Sequence, residues 1–294
     1  ERKHRPYARP TRNSSIMTVS APAKINLSLR ITGKRDDGFH ELETLVLPIE
    51  SLADELTFTE SDQFSLHCTT PGVPTDESNL ISRSLRLFEK ESGFACPYEI
   101  HLTKHTPHGA GLGGGSSDAA HTFLALNELT KANIPLETLA AWAGQLGSDI
   151  PLFLYQAPCW CRGRGEIIEP TQLEWNRRIL LLKPAFSIPT PWAYSRWKES
   201  RELPGVSYTE QTACDQILIN DLERPVFEKF QFLAELKQFL LEQTETEAAM
   251  MSGSGSTVFA VLKDDANAEN LLCRTLEELD PTMWHHLTPV SASL

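Results

Sequence analysis

The sequence predicts an α+β fold, in which antiparallel strands and amphipathic helices pack together. Residues 24–31 alternate apolar and polar side chains, which is the pattern of a strand with one buried face. Residues 33–42 form a charged segment with an Asp-Gly pair, which is typical of a hairpin between antiparallel strands. Residues 79–91 and 136–146 place apolar side chains at helical spacing. Strands, antiparallel pairing and packed helices together indicate α+β.

The composition of the whole chain limits the class of protein. With 294 residues, the chain suits one large domain or two of ordinary size. Its net charge of −12 leaves no basic field for nucleic acid or for an anionic membrane surface. The six cysteines lack disulfide-like spacing, which predicts reduced thiols in a cytosol-like compartment. No apolar run approaches the ~18 residues that a membrane-spanning helix needs.

Residues 1–16 differ from the rest of the chain. They contain five Lys or Arg residues against one Glu, two prolines and no apolar periodicity. We interpret them as an upstream tail or an expression scar. A remnant of an organelle transit peptide is the alternative, because such peptides are also rich in Arg and Ser. The fold is therefore expected to begin at Met17.

Further strands, helices and loops follow in order. Strand candidates are 45–47, 56–58, 64–66, 98–104 and 179–184, a turn-rich strand pair spans 159–168, and the clearer helix of the second half spans 227–242. A Pro- and Asp-rich loop is expected at 69–78, and a second Gly/Ser loop lies before a strand at 251–260. A tight hairpin turn is the alternative for this second loop. Arg162 and Arg164 either approach a phosphate or remain solvated.

Residues 107–120 carry the strongest functional signal. Five glycines fall within seven residues, Gly109 to Gly115, and precede two serines and an apolar run at helical spacing. Ser116 or Ser117 is expected to cap this helix. A glycine-rich loop leading into a helix N-terminus presents backbone N–H groups beside the positive end of the helix dipole, which favours bound phosphate. A flexible connection is the alternative, although five glycines carry an entropic cost that a connector does not need.

The residues before and after the glycines indicate which type of phosphate loop this is. Gly109 to Gly114 match G-x-G-x-x-G, but a dinucleotide fold requires a buried strand directly before the glycines. Residues 98–104 instead alternate apolar and polar side chains, and Pro107 intervenes. A Walker A loop is excluded, because no Gly-Lys-Ser/Thr follows the glycines. The remaining pattern, P-x-x-x-G-L-G-G-G-S-S-x-A-A, resembles the phosphate loop of the GHMP kinases.

Two other blocks narrow this resemblance. Residues 21–27 read A-P-A-K-I-N-L, and residues 35–42 read R-D-D-G-F-H-E-L. The combination resembles the GHMP kinases that act on a cytidine diphosphate derivative, and the resemblance covers nearly the whole chain from Ser20. It implies a two-domain GHMP kinase fold with the active site in the interdomain cleft. The ATP-binding N-terminal half, 17–168, would resemble domain 2 of ribosomal protein S5, and the C-terminal half, 169–294, would be ferredoxin-like α+β.

The resemblance implies an ATP-dependent phosphotransferase with an alcohol acceptor. The acceptor would be the 2-hydroxyl of 4-diphosphocytidyl-2-C-methyl-D-erythritol, a substrate of the non-mevalonate route to isoprenoids. Asp149, in G-S-D-I-P, would be the catalytic base, although a lone aspartate after a glycine helix stop is more often a turn former or a cap. Lys24, expected close to Asp149, would keep that carboxylate ionised and stabilise charge on the attacking oxygen.

The remaining site residues also come from the resemblance. Backbone N–H groups would hold the ATP phosphates, with Mg²⁺ carried by ATP and no separate protein metal site. The ATP-binding set is Pro107, Gly109, Gly111, Leu112, Gly113, Gly114, Gly115, Ser116, Ser117 and Asn79. The substrate-binding set is Asn26, Phe39, His40, Thr190, Tyr194, Gly253 and Ser254. In this set, His40 would meet the Watson–Crick edge of cytosine between the rings of Phe39, where the family commonly has Tyr, and Tyr194.

Several alternatives stay open. Homoserine kinase and mevalonate kinase share the phosphate loop, but their small acceptors need no Asp-Gly-Phe-His hairpin to enclose a nucleobase. Mevalonate diphosphate decarboxylase and a catalytically silent nucleotide-binding protein are further candidates. Asp118 is an awkward neighbour for phosphate unless a metal offsets its charge or it faces away. We expect no nucleic-acid or membrane partner, a monomer or weak homodimer, and a bacterial cytoplasmic location, with the plastid stroma as the alternative.

Overall fold

The computed structural model describes residues 16–292, so the tail expected at 1–16 lies outside the described residues except for Ile16, where the first strand begins. The strands are β1 (Ile16–Lys34), β2 (His40–Glu60), β3 (Ser65–Cys68), β4 (Tyr98–Thr103), β5 (Cys159–Gly163), β6 (Ile167–Pro170), β7 (Trp175–Lys183), β8 (Gln211–Ala213), β9 (Gln216–Asn220), β10 (Thr246–Met251), β11 (Val258–Leu262) and β12 (Trp284–Ala292). The helices are α1 (Leu80–Ser92), α2 (Gly114–Thr130), α3 (Leu136–Ala143), α4 (Ile150–Leu154), α5 (Thr190–Arg196), α6 (Glu223–Lys229), α7 (Gln231–Leu241) and α8 (Ala268–Glu278).

The first sheet is built on a long antiparallel hairpin of β1 and β2. Their pairing runs from Lys34 opposite His40 to Ile16 opposite Thr59. The strand order is β3-β4-β2-β1-β9-β8, and β5 pairs with the beginning of β2 and with β6. The strand and hairpin that the alternation and the Asp-Gly pair predict are therefore confirmed.

The centre of β1 is buried on both faces. Ile25 and Leu27 belong to the core between the two sheets. Lys24 and Asn26, on the polar side of the alternation, are each only 5% exposed. The apolar side chains of β1 thus face the core, whereas its polar side chains face a buried polar cleft and not solvent.

The second sheet has the order β10-β11-β7-β12, with antiparallel neighbours. Strands β8 and β9 come from the second half of the chain but lie in the first sheet, where β9 runs parallel to β1. The expected division between residues 168 and 169 falls inside β6 and stays a prediction. The Gly/Ser loop at 252–257 joins β10 to β11, so it is also a hairpin connection.

The helix predicted at 227–242 is wrong in its extent. Helix α6 ends at Lys229 and α7 begins at Gln231, because Phe230 between them has a non-helical backbone with φ −107° and ψ 67°. Apolar side chains continue at near-helical spacing through this break, so the pattern hides it.

Three buried clusters hold these layers together. One lies between the first sheet and α1–α4, and another lies between the second sheet and the helices of the second half. The third joins the sheets, since Ile25 and Leu47 of the hairpin share a buried cluster with Leu181 of β7 and Phe259 of β11. The two halves of the chain therefore have a common core.

The described helices include none with the length and apolar character needed to cross a bilayer. All six cysteines carry free thiols, in agreement with their scattered spacing.

Candidate active site

A cleft of about 820 Å³ opens between the first sheet, the start of α2 and the loops of the second half. All but two of the site residues that the sequence analysis assigns line it. The first exception is Leu112, whose side chain is buried in the core between the sheets. The second is Ser117, which is fully buried.

The cap assigned to α2 is also wrong. The helix begins at Gly114, and its N-cap is Gly113, which has φ 71°. A Cβ on Gly113 would lie 2.6 Å from the Phe153 ring, so the position requires glycine both for conformation and for space. Ser117 is already inside the helix, because its N–H donates to the Gly113 carbonyl at 2.9 Å. The first three helical N–H groups, those of residues 114–116, are left without helical acceptors.

The phosphate loop packs directly on the Gly/Ser loop between β10 and β11. A Cβ on Gly111, which has φ 76°, would lie 2.2 Å from the Ser252 carbonyl oxygen, so no other residue fits this contact. The Ser252 hydroxyl donates to the Gly111 carbonyl at 3.0 Å, and the Thr257 N–H donates to the Ala110 carbonyl at 3.1 Å. The two glycine-rich motifs thus form one unit.

Lys24 is held between β1 and the phosphate loop. Its Nζ donates to Asn26 Oδ1 at 2.7 Å and to the Gly111 carbonyl at 2.8 Å. The Asn26 amide donates in turn to the Thr44 hydroxyl at 2.8 Å. Burial lowers the pKa of Lys24, and the Asp149 carboxylate opposes that shift.

Asp149 lies at the start of the short helix α4 and is exposed to the cleft. It occupies the N-cap position of α4, as the cap alternative has it, but its side chain makes no capping hydrogen bond to the helix. No direct ion pair joins Asp149 to Lys24 among the described side chains, but the carboxylate is close enough to act on the pKa of Lys24. The Cys161 thiol also lines this part of the cleft, and burial raises its pKa to about 12, so it stays neutral. The sequence gives no signal for Cys161, because β5 reaches the site only by pairing with β2.

Aromatic side chains gather in another part of the cleft wall. The His40 ring lies 5.6 Å from that of Tyr194 and 5.9 Å, edge-on, from that of Trp197. Phe39 is 52% exposed and packs under the Arg164 guanidinium, 5.1 Å from its ring centroid. Burial lowers the pKa of His40, with a smaller effect from a neighbouring lysine, so the imidazole is neutral near pH 7.

The two arginines whose roles the sequence leaves open have different partners in the structure. Arg162 is a partner of Glu43 at 2.9 Å and of Glu169 at 2.6 Å. Arg164 lines the cleft beside Phe39. Arg162 therefore stabilises the strand pair, and only Arg164 can reach a ligand.

Loops of the second half close the cleft near these rings. The Thr190 hydroxyl lies 2.8 Å from that of Ser254. The Asn220 amide donates to the carbonyls of Met251 and Gly253 at 2.7 and 2.8 Å and so fixes the Gly/Ser loop. The sequence does not predict this role of Asn220, because no neighbouring residue along the chain indicates the contact.

Asn79 and Asp118 also line the cleft. Asn79 caps α1, since its Oδ1 accepts from the Ile81 N–H at 2.8 Å, and its amide donates to the Pro74 carbonyl at 2.7 Å. The carboxyl of Asp118 accepts a hydrogen bond from the Lys104 ammonium group at 2.8 Å, so a cation of the protein itself stands beside it. Lys104 also pairs with the fully buried Asp54.

Models of known families match both halves of the chain. Residues 79–157 match the GHMP kinases N terminal domain, and residues 211–278 match the GHMP kinases C terminal domain. The first match contains the phosphate loop and Asp149, and the second contains the Gly/Ser loop.

Individual relatives are similar over most of the chain. It is 41% identical over 279 residues to a 4-diphosphocytidyl-2-C-methyl-D-erythritol kinase of Methylacidiphilum infernorum, which covers 93% of this chain and 96% of the relative. It is 39% identical over 264 residues to a chloroplastic kinase of the same name from Mentha piperita, covering 85% of this chain and 65% of the relative. A crystal structure of 4-(cytidine 5'-diphospho)-2C-methyl-D-erythritol kinase superposes with a TM-score of 0.74 at 32% identity, over 94% of this chain and 99% of the other.

Proposed function

Since the chain belongs to the 4-diphosphocytidyl-2-C-methyl-D-erythritol kinase family of the GHMP kinases, we propose that the cleft is the site of that reaction. The chain is an ATP-dependent phosphotransferase. It phosphorylates the 2-hydroxyl of 4-diphosphocytidyl-2-C-methyl-D-erythritol in the non-mevalonate route to isoprenoids. The roles of individual residues in that reaction are proposals.

The start of α2 binds the triphosphate of ATP. The N–H groups of residues 114–116 have no helical acceptor and stand at the positive end of the helix dipole, so they donate to anionic oxygens without further rearrangement. Pro107, Gly109, Gly111 and Gly113 shape the loop that leads to them. Leu112 and Ser117 contribute by packing, because neither reaches the cleft. Asn79 acts at the adenine end through the loop that it fixes.

Asp149 accepts the proton of the acceptor hydroxyl. It is exposed to the cleft and has no capping bond to break before it can do so. Lys24 stabilises the oxygen that becomes nucleophilic, since its charge is buried and fixed by two hydrogen bonds. Phosphoryl transfer requires positioning and charge neutralisation more than covalent catalysis, and these two residues supply both at the acceptor end.

The aromatic end of the cleft binds the cytidine of the acceptor. His40, neutral near pH 7, has one ring nitrogen to donate and one to accept, which suits the edge of cytosine. Tyr194 and Phe39 provide stacking faces, Phe39 together with the Arg164 guanidinium. Thr190, Gly253, Ser254 and Asn26 line the stretch between the base and Lys24, where the diphosphate and the alcohol would lie.

Mg²⁺ would be held by the ATP phosphates and would neutralise part of their charge. The Ser116 hydroxyl lines the cleft beside the free N–H groups, and no described side chain or backbone group bonds to it, so it is an oxygen ligand of the kind that Mg²⁺ prefers. We propose that Ser116 holds the ion together with the phosphates. The ion would offset the charge of the transferred group.

The observation that carries this proposal is the meeting of the free α2 amides, Lys24 and Asp149 in one cleft. The test is ADP release from MgATP with 4-diphosphocytidyl-2-C-methyl-D-erythritol, homoserine or mevalonate as acceptor. We expect turnover with the first acceptor alone. Asp149→Asn should lower kcat about 10²- to 10⁴-fold, whereas Asp62→Asn, an exposed aspartate outside the cleft, should keep it. Comparable turnover with homoserine contradicts the acceptor, and an unchanged rate in Asp149→Asn contradicts the base.

We also propose that the protein works without a nucleic-acid or membrane partner, as a monomer or weak homodimer. The charge of −12 supports this, because it repels both kinds of polyanion. A bacterial cytoplasm or a plastid stroma fits the sources of the relatives. Sedimentation at increasing protein concentration tests the oligomeric state.

A further inference from the structure

Three metal-ligating side chains meet on the outer face of the first sheet, away from the cleft. β3 and β4 are parallel neighbours, and His67 stands directly opposite His101 in their register. Glu99 precedes His101 by two residues on β4, so both side chains project from the same face. All three residues are reachable from solvent.

The donor atoms of this cluster are already close to the geometry of a metal site. One ligand atom from each residue lies within 4.8 Å of the other two. His101 Nε2 is 2.7 Å from Glu99 Oε1, and His67 Nε2 is 3.9 Å from Glu99 Oε2. Ligand atoms around a tetrahedral ion with bonds of ~2.0–2.1 Å are about 3.3 Å apart, so small side-chain rotations bring all three into range.

The chemistry of the donors selects the class of ion. Two imidazoles and one carboxylate form a ligand set that proteins use for Zn²⁺, with a fourth position left to water. Imidazole nitrogen also disfavours Mg²⁺ and Ca²⁺, which take oxygen ligands. The rings of His67 and His101 are stacked, 4.9 Å apart at 23°, which keeps the two imidazoles side by side.

We propose that His67, Glu99 and His101 form a site for a late first-row divalent cation, above all Zn²⁺, that ties β3 to β4. β3 has only four residues and lies at the edge of the sheet, with β4 as its single neighbour. Its end leads into the loop of residues 69–79, part of which lines the cleft. The ion links the two strands through side chains, in addition to their pairing over the four residues of β3.

Calorimetric titration of the full-length, chelator-treated chain with ZnCl₂ tests the site. We expect one ion per chain, and loss of that binding in each of His67→Asn, Glu99→Gln and His101→Asn. His285→Asn removes an exposed histidine of β12 outside the cluster and should bind as the wild type does. Kinase activity of each variant shows that it is folded. ZnCl₂ should also raise the melting temperature of the wild type and of His285→Asn, but not that of the cluster variants.

Titration with CoCl₂ distinguishes this cluster from the thiols. Binding by nitrogen and oxygen should give weak visible bands without the intense near-ultraviolet band of cobalt–thiolate, which the exposed Cys273 could produce. Retained zinc stoichiometry in His101→Asn, or a thiolate band that survives in the cluster variants, overturns the proposal.

Discussion

Lys24 and Asn26 project from the centre of β1 into the polar cleft and not into bulk solvent. Both side chains are only 5% exposed, and a chain of hydrogen bonds runs from Lys24 through Asn26 to Thr44. A charge held in this way needs little reorganisation when a negative oxygen forms next to it. We therefore propose for Lys24 a role in the transfer step and not in binding alone.

Lys24→Met should lower kcat about 10²- to 10³-fold, because the buried charge facing the attacking oxygen is lost. The matched control is Lys183→Met, which removes another buried lysine whose Nζ donates to the carbonyls of Pro184 and Phe186. The control should keep kcat within a few-fold. Steady-state kinetics on both variants check this, and equal losses of kcat would mean that Lys24 acts through stability.

Asp118 gives a prediction for the pH dependence of stability. Burial raises its pKa from 3.8 to about 7 despite the ammonium of Lys104. Between those values the folded protein keeps a proton that the unfolded chain has released, so the contribution of Asp118 to the free energy of unfolding falls as pH rises from about 4 to about 7. Above about pH 7 the contribution no longer changes.

Asp118→Asn should remove this fall, because the amide does not titrate. Between about pH 5 and about pH 8 the variant should gain about 2 kcal/mol relative to the wild type. Urea denaturation at the two pH values measures the difference. Parallel changes in both proteins would show that Asp118 titrates at its ordinary value.

At the scale of residues, the resemblance assigned site residues most of which line the cleft, whereas the residues that support them are identified only by the fold. Asp149 and the glycine loop carry local motifs. Cys161 reaches the cleft by strand pairing, and Asn220 supports the Gly/Ser loop, through contacts between distant segments that no window of sequence contains.

At the scale of elements, the glycines before and within the start of α2 differ in whether they have space for a side chain. Gly111 and Gly115 belong to the same motif but have opposite environments. A Cβ on Gly111 would meet the backbone of the Gly/Ser loop at 2.2 Å, whereas a Cβ on Gly115 would meet nothing within 4 Å. Substitution at the first position acts on the fold, and substitution at the second acts on the ligand.

Gly111→Ala should lower the free energy of unfolding by at least about 2 kcal/mol, through left-handed strain and the backbone clash. Gly115→Ala should leave stability unchanged or raise it by about 0.5–1 kcal/mol, because alanine favours helix. It should nevertheless weaken ATP binding, since the methyl group stands beside the free N–H groups. Urea denaturation and calorimetry with ATP separate the two effects. Full ATP affinity in Gly115→Ala contradicts the proposed cradle.

The errors at this scale have local causes. Serine is the commoner cap, so the sequence favoured Ser116 or Ser117 over Gly113, yet a left-handed glycine begins α2 three residues earlier. The break between α6 and α7 lies at Phe230, an apolar residue that continues the helical pattern. In both cases the backbone conformation, and not the hydrophobic pattern, decides the boundary.

At the scale of the molecule, the α+β class was predictable because β1, β2 and the amphipathic helices have strong periodicity. The crossing of β8 and β9 into the first sheet was not, since these short strands of three and five residues carry little pattern. The pairing of β9 with β1 and of β8 with β9, together with the core between the sheets, joins the halves into one cooperative structure.

We expect a single unfolding transition, with the same midpoint by circular dichroism and by tryptophan fluorescence. A fragment of residues 17–168 should not fold, because it lacks β8 and β9 and exposes Ile25 and Leu47 to water. Circular dichroism of the fragment tests this expectation. A cooperative melt of the fragment alone would mean that the first half is an independent unit.

The hydrogen bonds that hold Lys24 limit how many ligand oxygens its ammonium group can bond. An ammonium has three hydrogens, and two of them are already given to Asn26 and to the Gly111 carbonyl. Its electric field reaches every oxygen nearby, but its last hydrogen serves one oxygen at a time. That hydrogen can therefore bond to an oxygen on the donor side of the transferred phosphoryl group or to one on the acceptor side, but not to both at once.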